Sequence, residues 1–416
     1  MALVFQAIVG ILVLLGAAWL LSEDRRRVPW RAVAAGVGLQ FVLAVSLLRL
    51  PGFRNLFFAL NGVMNALNTA LREGTTFVFG YLGGGEPPFP VTEPPKTYLF
   101  AFQSLPFIIL ISALAAVLFY WRVLPAVVKA MSAVLQRTMK LGGAVGLGVS
   151  ANVFMGMVEA PLLVAPYVAR MSRGELFLLM TSGMATVAGT VMVVYANVLE
   201  GVIPNPLGHI LTASLINAPA SVVVASLLVP PGDKPTEGEL TPPQQAHSTV
   251  DAISHGTEQG VRLLINITAM LIVLIALVSL ANQILGLLPE IGGAPLTLQR
   301  ILGILVAPVA WLLGIPWREA MAAGSLLGTK VVLNEFIAYV DLAHLGPEVL
   351  SLKSRLIMSY ALCGFANFGS LGIMIGGLGT MVPERRRDIT QMGMKSILGG
   401  VMATCLTGAI AGLVAP

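Results

Sequence analysis

The chain contains uncharged apolar stretches that are too long for the core of a soluble protein. Several exceed the roughly 18 residues that mark a membrane-spanning helix, at 2–21, 98–119, 176–199, 356–383 and 396–416. Hydrophobic residues make up 56% of the chain and charged residues only 11%, against about 25% charged in soluble domains. The stretches lack the apolar–polar alternation of membrane-barrel strands. The sequence therefore predicts an all-α, multi-spanning membrane protein.

The basic residues lie at the ends of these stretches and indicate the orientation of the chain. Arginines cluster at 25–31, after the first stretch, and at 385–387, before the last. Short basic loops are typically cytoplasmic, so residues 2–21 are predicted to be a retained helix with its N-terminus outside. The net charge of +5 lies in such loops and indicates no nucleic-acid-binding module. The histidines show no metal-ligand spacing, and Cys363 and Cys405 are predicted to be free thiols.

Residues 1–120 are predicted to contain ordinary helices and one long loop. The loop, at 51–97, ends in a Gly- and Pro-rich stretch and is expected on the outer face. Residues 121–140 follow with apolar residues at helical spacing and basic residues between them. This pattern predicts a basic amphipathic helix in the membrane interface, with a simple connector as the alternative.

Two apolar regions are interrupted by Gly and Pro. The first, at about 141–169, carries one charge, Glu159, and the second, at about 297–341, carries Lys330 and Glu335 in its last part. Irregular backbone at membrane depth is tolerated only where it is buried in protein or lines a cavity. Each region is therefore predicted to be a re-entrant helical hairpin.

The two halves of the chain repeat one pattern. In 121–229 and again in 297–416, a broken hairpin precedes a helix rich in small residues and then a plain helix. The cytoplasmic loop 230–258 and one span in 259–296 separate the halves. Paired interruptions are typical of inverted-repeat transporters, although Gly also serves close helix packing. The predicted fold has two re-entrant hairpins and about eight transmembrane helices, at 2–21, 32–50, 98–119, 176–199, 207–229, 260–286, 355–380 and 393–415.

Charged and polar residues in the broken regions are the candidates for chemistry. A carboxylate within a spanning region costs about 3 kcal/mol or more, so Glu159 and Glu335 are predicted to bind a ligand or a coupling ion, with a structural role as the alternative. Lys330 could instead neutralise a carboxylate or extend to the interface. Asn367 and Ser370 share one helical face, and carboxylate, amide and hydroxyl groups together suit a polyol such as ribose.

Four segments resemble the concentrative nucleoside transporters. Residues 328–339, Gly-Thr-Lys-Val-Val-Leu-Asn-Glu-Phe-Ile-Ala-Tyr, match the signature Gly/Ala-x-Lys-x-x-x-Asn-Glu-Phe-Val-Ala-Tyr except for Ile337. Residues 73–80, 364–370 and 383–387 are also similar to that family. The resemblance extends over essentially the whole chain. It implies a homotrimer whose protomers combine a scaffold, here 1–120 and 259–296, with a moving transport domain that holds both hairpins and two partly unwound helices.

The resemblance also implies the residues of the substrate site. Glu335, Asn367 and Ser370 would hold the ribose, and the aromatic side chain of Phe365 would flank the ligand. The full set of positions predicted to bind substrate is Met157, Val158, Glu159, Val191, Glu335, Phe365, Asn367 and Ser370.

The first hairpin departs from the family pattern at its tip. The family commonly has Gly-Gln-Thr-Glu or Gly-Gln-Ser-Glu, whereas residues 156–159 are Gly-Met-Val-Glu. Met157 and Val158 thus replace two polar residues that face the base. Leaving a buried ligand group unpaired costs about 1–3 kcal/mol, and Met packs well on aromatic rings. The change favours purine nucleosides or broad selectivity over a uridine-type preference.

The resemblance implies a cation site beside the first hairpin. Sodium-dependent members use an asparagine, a hydroxyl and main-chain carbonyls, which correspond to the side chains of Asn152 and Thr186 and the carbonyls of Met155 and Val187. Oxygen ligands suit a hard cation. Sodium is therefore favoured over protons as the coupling ion, with a helix-capping role for Asn152 as the alternative.

Together these features predict a transporter and not an enzyme. Nucleoside and sodium would enter the cell together by elevator-type alternating access across the bacterial inner membrane, with no cofactor beyond the coupling ion. A proton-coupled symporter is the first alternative. An intramembrane nucleoside hydrolase, with Glu159 and Glu335 as an acid–base pair, is a weaker one. A channel is disfavoured because no ring of pore-lining carboxylates is present.

Overall fold

The computed structural model describes residues 2–90, 99–232, 235–240, 246–290, 293 and 295–415. Every regular element in this part of the chain is a helix, which confirms the predicted all-α class. The α-helices are α1 Ala2–Leu20, α2 Trp30–Arg49, α3 Pro51–Phe79, α4 Phe100–Gln103, α5 Phe107–Tyr120, α6 Val123–Met139, α7 Gly143–Asn152, α8 Glu159–Leu162, α9 Ala165–Val168, α10 Arg173–Ala185, α11 Gly189–Val198, α12 Pro206–Leu228, α13 Thr249–Leu285, α14 Leu298–Leu312, α15 Trp317–Val332, α16 Glu335–His344, α17 Leu352–Leu362, α18 Phe368–Met381 and α19 Arg386–Val414.

Seven helical segments of the described chain are long and apolar enough to cross a membrane, or eight if α14 and α15 form one bent span. They correspond to the predicted spans with one exception. The span predicted at 355–380 is divided into α17 and α18 by non-helical residues 363–367. The span predicted at 176–199 is likewise interrupted, between α10 and α11. The resemblance implies two partly unwound helices. The interrupted pairs α10–α11 and α17–α18 have this form.

The predicted outer loop at 51–97 is wrong over most of its length. Residues 51–79 form α3, and a 3-10 turn at Gly80–Gly83 ends it. Gly80 has φ 58°, a left-handed conformation that glycine adopts without strain. Residues 91–98 lie outside the described residues. The predicted loop 230–258 is also shorter than expected, because α13 begins at residue 249.

The first broken region, predicted at 141–169, contains only short helices. The longest is α7, whose ten residues span about 15 Å, half the hydrocarbon thickness of a bilayer. The preceding helix α6 confirms the helix predicted at 121–140, and it buries the face formed by Val128, Ser132, Leu135 and Met139. The re-entrant path of 141–169 through a bilayer stays a prediction.

The second broken region, predicted at 297–341 as one helical hairpin, contains three helices. A bend of 115° separates α14 from α15, and a second break at residues 333–334 separates α15 from α16. The two helices α14 and α15 pack closely because a side chain is missing at their contact: a Cβ on Gly324 would lie 2.6 Å from the amide nitrogen of Ala307. The second break directly precedes Glu335, the first residue of α16.

The remaining helices surround these broken elements unevenly. Helices α10, α12 and α19 are largely buried, whereas α13 exposes most of its 37 residues. Helix α13 packs along α5, where Gly256 approaches the carbonyl oxygen of Ser112 so closely that a Cβ would lie 2.6 Å from it. In the loop between α1 and α2, next to the arginines at 25–31, Glu23 accepts hydrogen bonds from Arg173 and Lys395 at 3.2 and 3.0 Å.

Candidate substrate and ion site

The interrupted helices meet and satisfy each other's backbone groups. The amide of Gly189, which starts α11, donates to the carbonyl of Phe154 in the first broken region at 2.9 Å. The amide of Phe365, in the break between α17 and α18, donates to the carbonyl of Thr186 at 3.3 Å. Backbone polar groups have no water to bond in a hydrocarbon environment. The breaks are therefore stable because they lie side by side.

Glycine makes the closest of these approaches possible. A Cβ on Gly364 would lie 2.7 Å from the carbonyl oxygen of Ala185, so the α17–α18 break can touch the end of α10 only with glycine at this position. The small residues in these helices therefore allow the two breaks to touch, in addition to allowing close packing between helices.

Glu335 is the centre of the polar cluster. It is the first residue of α16, whose N-cap is Asn334, with Oδ1 accepting from the amide of Ile337 at 2.8 Å. The Glu335 side chain is buried, at 4% exposure. Its Oε1 accepts from Tyr195 Oη at 2.6 Å, and its Oε2 accepts from Asn367 Nδ2 at 3.0 Å. A helix N-terminus carries a partial positive charge, which favours a carboxylate at this place.

Asn367 connects this carboxylate to the second interrupted helix. It is the N-cap of α18, and its Oδ1 accepts from the amide of Ser370 at 2.7 Å. Both Asn367 and Ser370 are buried. The structure therefore brings together Glu335, Asn367 and Ser370, three of the predicted substrate residues, although Glu335 and Asn367 are separated by 32 positions in sequence.

Tyr195 is a site residue that the sequence analysis missed. It lies in α11, is 3% exposed, and its ring packs against those of Phe336 and Tyr339 at centroid distances of 6.1 and 5.2 Å. The signal available in the sequence was a single phenol in the apolar run 190–199, since a buried Tyr hydroxyl requires a partner.

Lys330 neither extends to the interface nor pairs with Glu335. It is fully buried, and its Nζ donates to the carbonyl of Ala361 and to Thr404 Oγ1, both at 2.8 Å. Within the described residues its ion-pair distance to any carboxylate exceeds 4 Å. These contacts match neither an ion pair with a carboxylate nor an extension to the interface, and a role of Lys330 in binding stays a prediction.

The first hairpin tip is only partly as predicted. Met157 is buried against Gly183, and Val158 packs on Gly377 of α18. Glu159, predicted to be a buried carboxylate, is exposed, and its Oε2 lies 2.0 Å from where a Cβ on Gly156 would be. That prediction of burial is wrong because the irregular residues 153–158 carry the side chain to the surface of the chain. A role for Glu159 in binding stays a prediction.

The predicted cation ligands lie around the contact between the first hairpin and α10. Asn152 is the last residue of α7, is 1% exposed, and neither its Oδ1 nor its Nδ2 has a hydrogen-bond partner among the described residues. Asn152 therefore caps no helix, which removes the alternative role. Thr186 Oγ1 donates to the carbonyl of Ser182 at 2.9 Å, so its oxygen lone pairs remain available.

The remaining predicted substrate and cation positions lie in or next to the broken regions. Val187 and Val191 are buried beside the α10–α11 break, and Met155 and Phe365 are half-buried. No cluster of three or more His, Cys, Asp or Glu suited to a metal occurs in the described part of the chain. The predicted cation ligands are instead neutral side-chain and main-chain oxygens, the ligand type that hard cations take.

A cavity of about 810 Å³ lies apart from this cluster. It opens between α3 and the end of α11, and its polar lining includes Asn68, Arg72, Asn197 and Glu200. Asn68 and Asn197 donate to each other's amide oxygens at 3.1 and 3.3 Å. None of the predicted substrate or cation positions lines this cavity.

Models of known families match nearly all of the chain. Residues 9–82 match the Na+ dependent nucleoside transporter N-terminus, residues 101–201 match a nucleoside recognition (Gate) domain, and residues 209–412 match the Na+ dependent nucleoside transporter C-terminus.

Relatives that match 98% or more of this chain include transporters from bacteria and mammals. Nucleoside permease NupC of Helicobacter pylori is 32% identical over 98% of this chain and 97% of its own length. The uncharacterized transporter YutK of Bacillus subtilis is 36% identical, with 99% of both chains covered. Sodium/nucleoside cotransporter 1 of Mus musculus is 34% identical over 98% of this chain and 63% of its own length.

Solved structures of a transporter named CNTnw have the same fold. An inward-facing, substrate-bound state aligns with a TM-score of 0.90 at 35% identity and covers 100% of both chains. A doubly substituted variant in an outward-facing state also aligns at 0.90 and 35% identity, covering 100% of this chain and 98% of that one. The prediction of a transporter rather than an enzyme is confirmed by these relatives. The chain belongs to the family of concentrative, Na+-dependent nucleoside transporters.

Proposed function

We propose that the chain is a sodium-coupled symporter that moves nucleosides into the cell across the bacterial inner membrane. The observation that carries the proposal is the buried Glu335 carboxylate, held by Tyr195 and Asn367 where the interrupted helices meet. Relatives named as a nucleoside permease and a sodium/nucleoside cotransporter, and a relative's substrate-bound structure, support it.

The ribose is the part of the substrate that this cluster suits best. An ionised carboxylate offers about four lone-pair sites. Each Glu335 oxygen uses one of these on a protein donor, so further positions remain for the hydroxyls of the sugar. Asn367 and Ser370 add neutral polar groups, and the half-buried ring of Phe365 offers an apolar face beside them. Positioned donors and acceptors of this kind discriminate strongly against analogues that lack a hydroxyl.

Base selectivity is assigned to Met157 and Val158 at the first hairpin tip, together with Glu159 and Val191. Met157 is buried, and the two side chains pack on small residues of α10 and α18. An apolar tip provides no hydrogen-bond partner for a pyrimidine edge. We therefore expect inosine and adenosine to compete at least as well as uridine for uptake. Strict selectivity for uridine would refute this assignment.

Sodium is assigned to Asn152, Thr186 and the carbonyls of Met155 and Val187. The unpartnered Asn152 amide supports this assignment, because a buried polar group without a partner is unfavourable unless a ligand completes it. The ion would bind next to the same α10–α11 break that receives the Phe365 amide. Ion binding can therefore favour the arrangement of breaks that also forms the nucleoside site.

Movement is assigned to a transport domain that carries both broken regions past a scaffold, with three copies of the chain in the assembly. Inward-facing and outward-facing structures of CNTnw support alternating access, and the elevator type is what the resemblance to the family implies. The exposed apolar side chains of α13 are available to lipid or to another copy of the chain. Native mass spectrometry of detergent-purified protein tests the trimer, and a purely monomeric mass would refute it.

The central experiment measures labelled inosine and uridine uptake into proteoliposomes under an inward sodium gradient or an inward proton gradient. Accumulation under sodium alone is the expected result. Accumulation under protons alone would retain the nucleoside site and refute the sodium assignment. No accumulation of either nucleoside would refute the proposed function.

Asn367→Ser provides a matched test of the ribose site. Serine can still cap α18 but cannot donate to Glu335 as Asn367 does. We expect nucleoside affinity to fall about tenfold or more, because the bond to a charged acceptor is worth about 1.5–3 kcal/mol. Thermal stability should fall less than in Asn367→Ala, which also removes the cap.

A further inference from the structure

Helix α17 ends inside the protein with its last carbonyl groups bonded to three side chains from three other helices. The carbonyl of Ser359 accepts from Tyr339 Oη at 2.8 Å, that of Ala361 accepts from Lys330 Nζ at 2.8 Å, and that of Cys363 accepts from Asn217 Nδ2 at 2.6 Å. The three donor side chains are completely buried. The final carbonyls of a helix have no partner within the helix itself, so these bonds replace both the next helical turn and water.

Lys330 is the charged member of this set. Its second acceptor, Thr404 Oγ1, donates its own hydrogen to the carbonyl of Val401 at 3.0 Å, so the hydroxyl oxygen is oriented to accept from Lys330. Lys330 thereby joins the end of α15 to α17 and α19. A cation at a helix C-terminus is also favoured by the partial negative charge there.

The residues that follow the anchored carbonyls are those of the nucleoside site. Phe365 and Asn367 lie four and six positions after Ala361, and Asn367 contacts the Glu335 carboxylate. The signature 328–339 thus contributes groups of two kinds. Glu335 points to the cluster proposed to hold ribose, whereas Lys330 and Tyr339 hold the end of the interrupted helix.

We propose that Lys330 is a positioning residue for nucleoside binding: by holding the Ala361 carbonyl and Thr404, it sets the place of the 363–367 break and hence of Phe365 and Asn367. This inference rests on the proposed nucleoside function. It assigns to Lys330 an effect on substrate affinity, without contact between Lys330 and the substrate.

Thr404→Val tests the inference with little change of shape. Valine has the size of threonine but cannot accept from Lys330. We expect the nucleoside concentration for half-maximal uptake to rise about threefold to tenfold, as for the loss of one buried hydrogen bond, with the maximal rate nearly unchanged. Thr404→Ser, which keeps the hydroxyl, should restore the wild-type value. The matched control is Thr407→Val, one turn later in α19. Among the described residues, the buried Thr407 hydroxyl bonds only to the carbonyl of Ala403 in the same helix.

A double-substitution cycle separates positioning from general stability. Lys330→Met alone and Asn367→Ser alone should each weaken inosine binding, measured by titration calorimetry on purified protein. If Lys330 acts through the break, Lys330→Met should lower affinity by a smaller factor in the Asn367→Ser background than in the wild type, and the remainder would reflect the position of Phe365. Fully multiplicative effects, or equal effects of Thr404→Val and Thr407→Val, would overturn the inference. Absence of nucleoside binding by the unaltered chain would overturn the proposed function and this inference with it.

Discussion

The buried amide of Asn152 leads us to predict that removing it stabilises the protein when sodium is absent. This amide is buried, and both polar atoms lack hydrogen-bond partners among the described residues. An unsatisfied buried polar group costs about 1–3 kcal/mol. Asn152→Leu keeps the branching and the number of heavy atoms of the side chain and removes both polar atoms. We therefore expect the variant to be more stable than the wild type in the absence of sodium, by about 1–3 kcal/mol in the free energy of unfolding.

Asn152→Leu should at the same time remove the stabilisation of the protein by sodium. A ligand at 100 times its Kd stabilises the folded state by about 2.7 kcal/mol. With about 2.1 cal/mol/K of unfolding entropy per residue, 416 residues give roughly 1 °C per kcal/mol. Wild-type Tm should thus rise by about 3 °C in saturating sodium. The Asn152→Leu variant should start about 1–3 °C higher and show no sodium-dependent rise.

The assay is thermal unfolding of detergent-purified protein, followed by intrinsic fluorescence, with sodium titrated against choline at constant ionic strength. Ser150→Ala is the matched control, since Ser150 lies on the same helix and its buried hydroxyl has no hydrogen-bond partner in the described part of the chain. It should gain some stability and keep the full sodium response. A sodium-dependent rise retained by Asn152→Leu, or a lower Tm than wild type without sodium, would refute the reasoning.

Two further substitutions test local geometry. A Cβ at Gly156 would meet the Glu159 carboxylate, which is exposed and free to turn away, so Gly156→Ala should keep wild-type Tm while lowering inosine affinity as much as Glu159→Gln does. Unchanged affinity in calorimetric titration would contradict this. Partial burial opposes ionisation of Glu23, but hydrogen bonds from Arg173 and Lys395 prevail and hold its pKa below the ordinary value of 4.5. The stabilisation is therefore present above that value and lost as pH falls below it, so Glu23→Gln should flatten the decline of Tm between roughly pH 6 and pH 3.

The membrane class and the interrupted elements could be predicted because lipid imposes strict requirements. A span needs a minimum apolar length, and irregular backbone needs shelter within protein. These requirements appear directly as long uncharged runs and as clusters of Gly and Pro. The signature around Glu335 indicated the chemistry, and in the structure Asn367 donates to the Glu335 carboxylate.

Other features depended on contacts that no local pattern reveals. The partners of Glu335 and Lys330 include Tyr195 and Thr404, which are 140 and 74 positions away. Glu159 is a lone charge in an apolar run in sequence, but the turn that exposes it follows from the three-dimensional path of residues 153–158.

Helix α3 was missed for a different reason. Met64, Leu67 and Leu71 have helical spacing, and all three are at least partly buried. The Gly- and Pro-rich stretch that follows them dominated the inference of a loop. A periodic pattern of moderate hydrophobicity was therefore present before the breaker residues began.

Two backbone amides at the breaks are useful as reporters. Gly189, the first residue of α11, donates to Phe154 of the first hairpin, and Phe365, in the α17–α18 break, donates to Thr186. Deuterium can replace such an amide proton only when the bond opens. Separation of the two breaks would expose the Phe365 amide, and separation of the first hairpin from α11 would expose the Gly189 amide. The exchange rates of these two amides therefore measure how firmly the two breaks and the first hairpin are held as one unit.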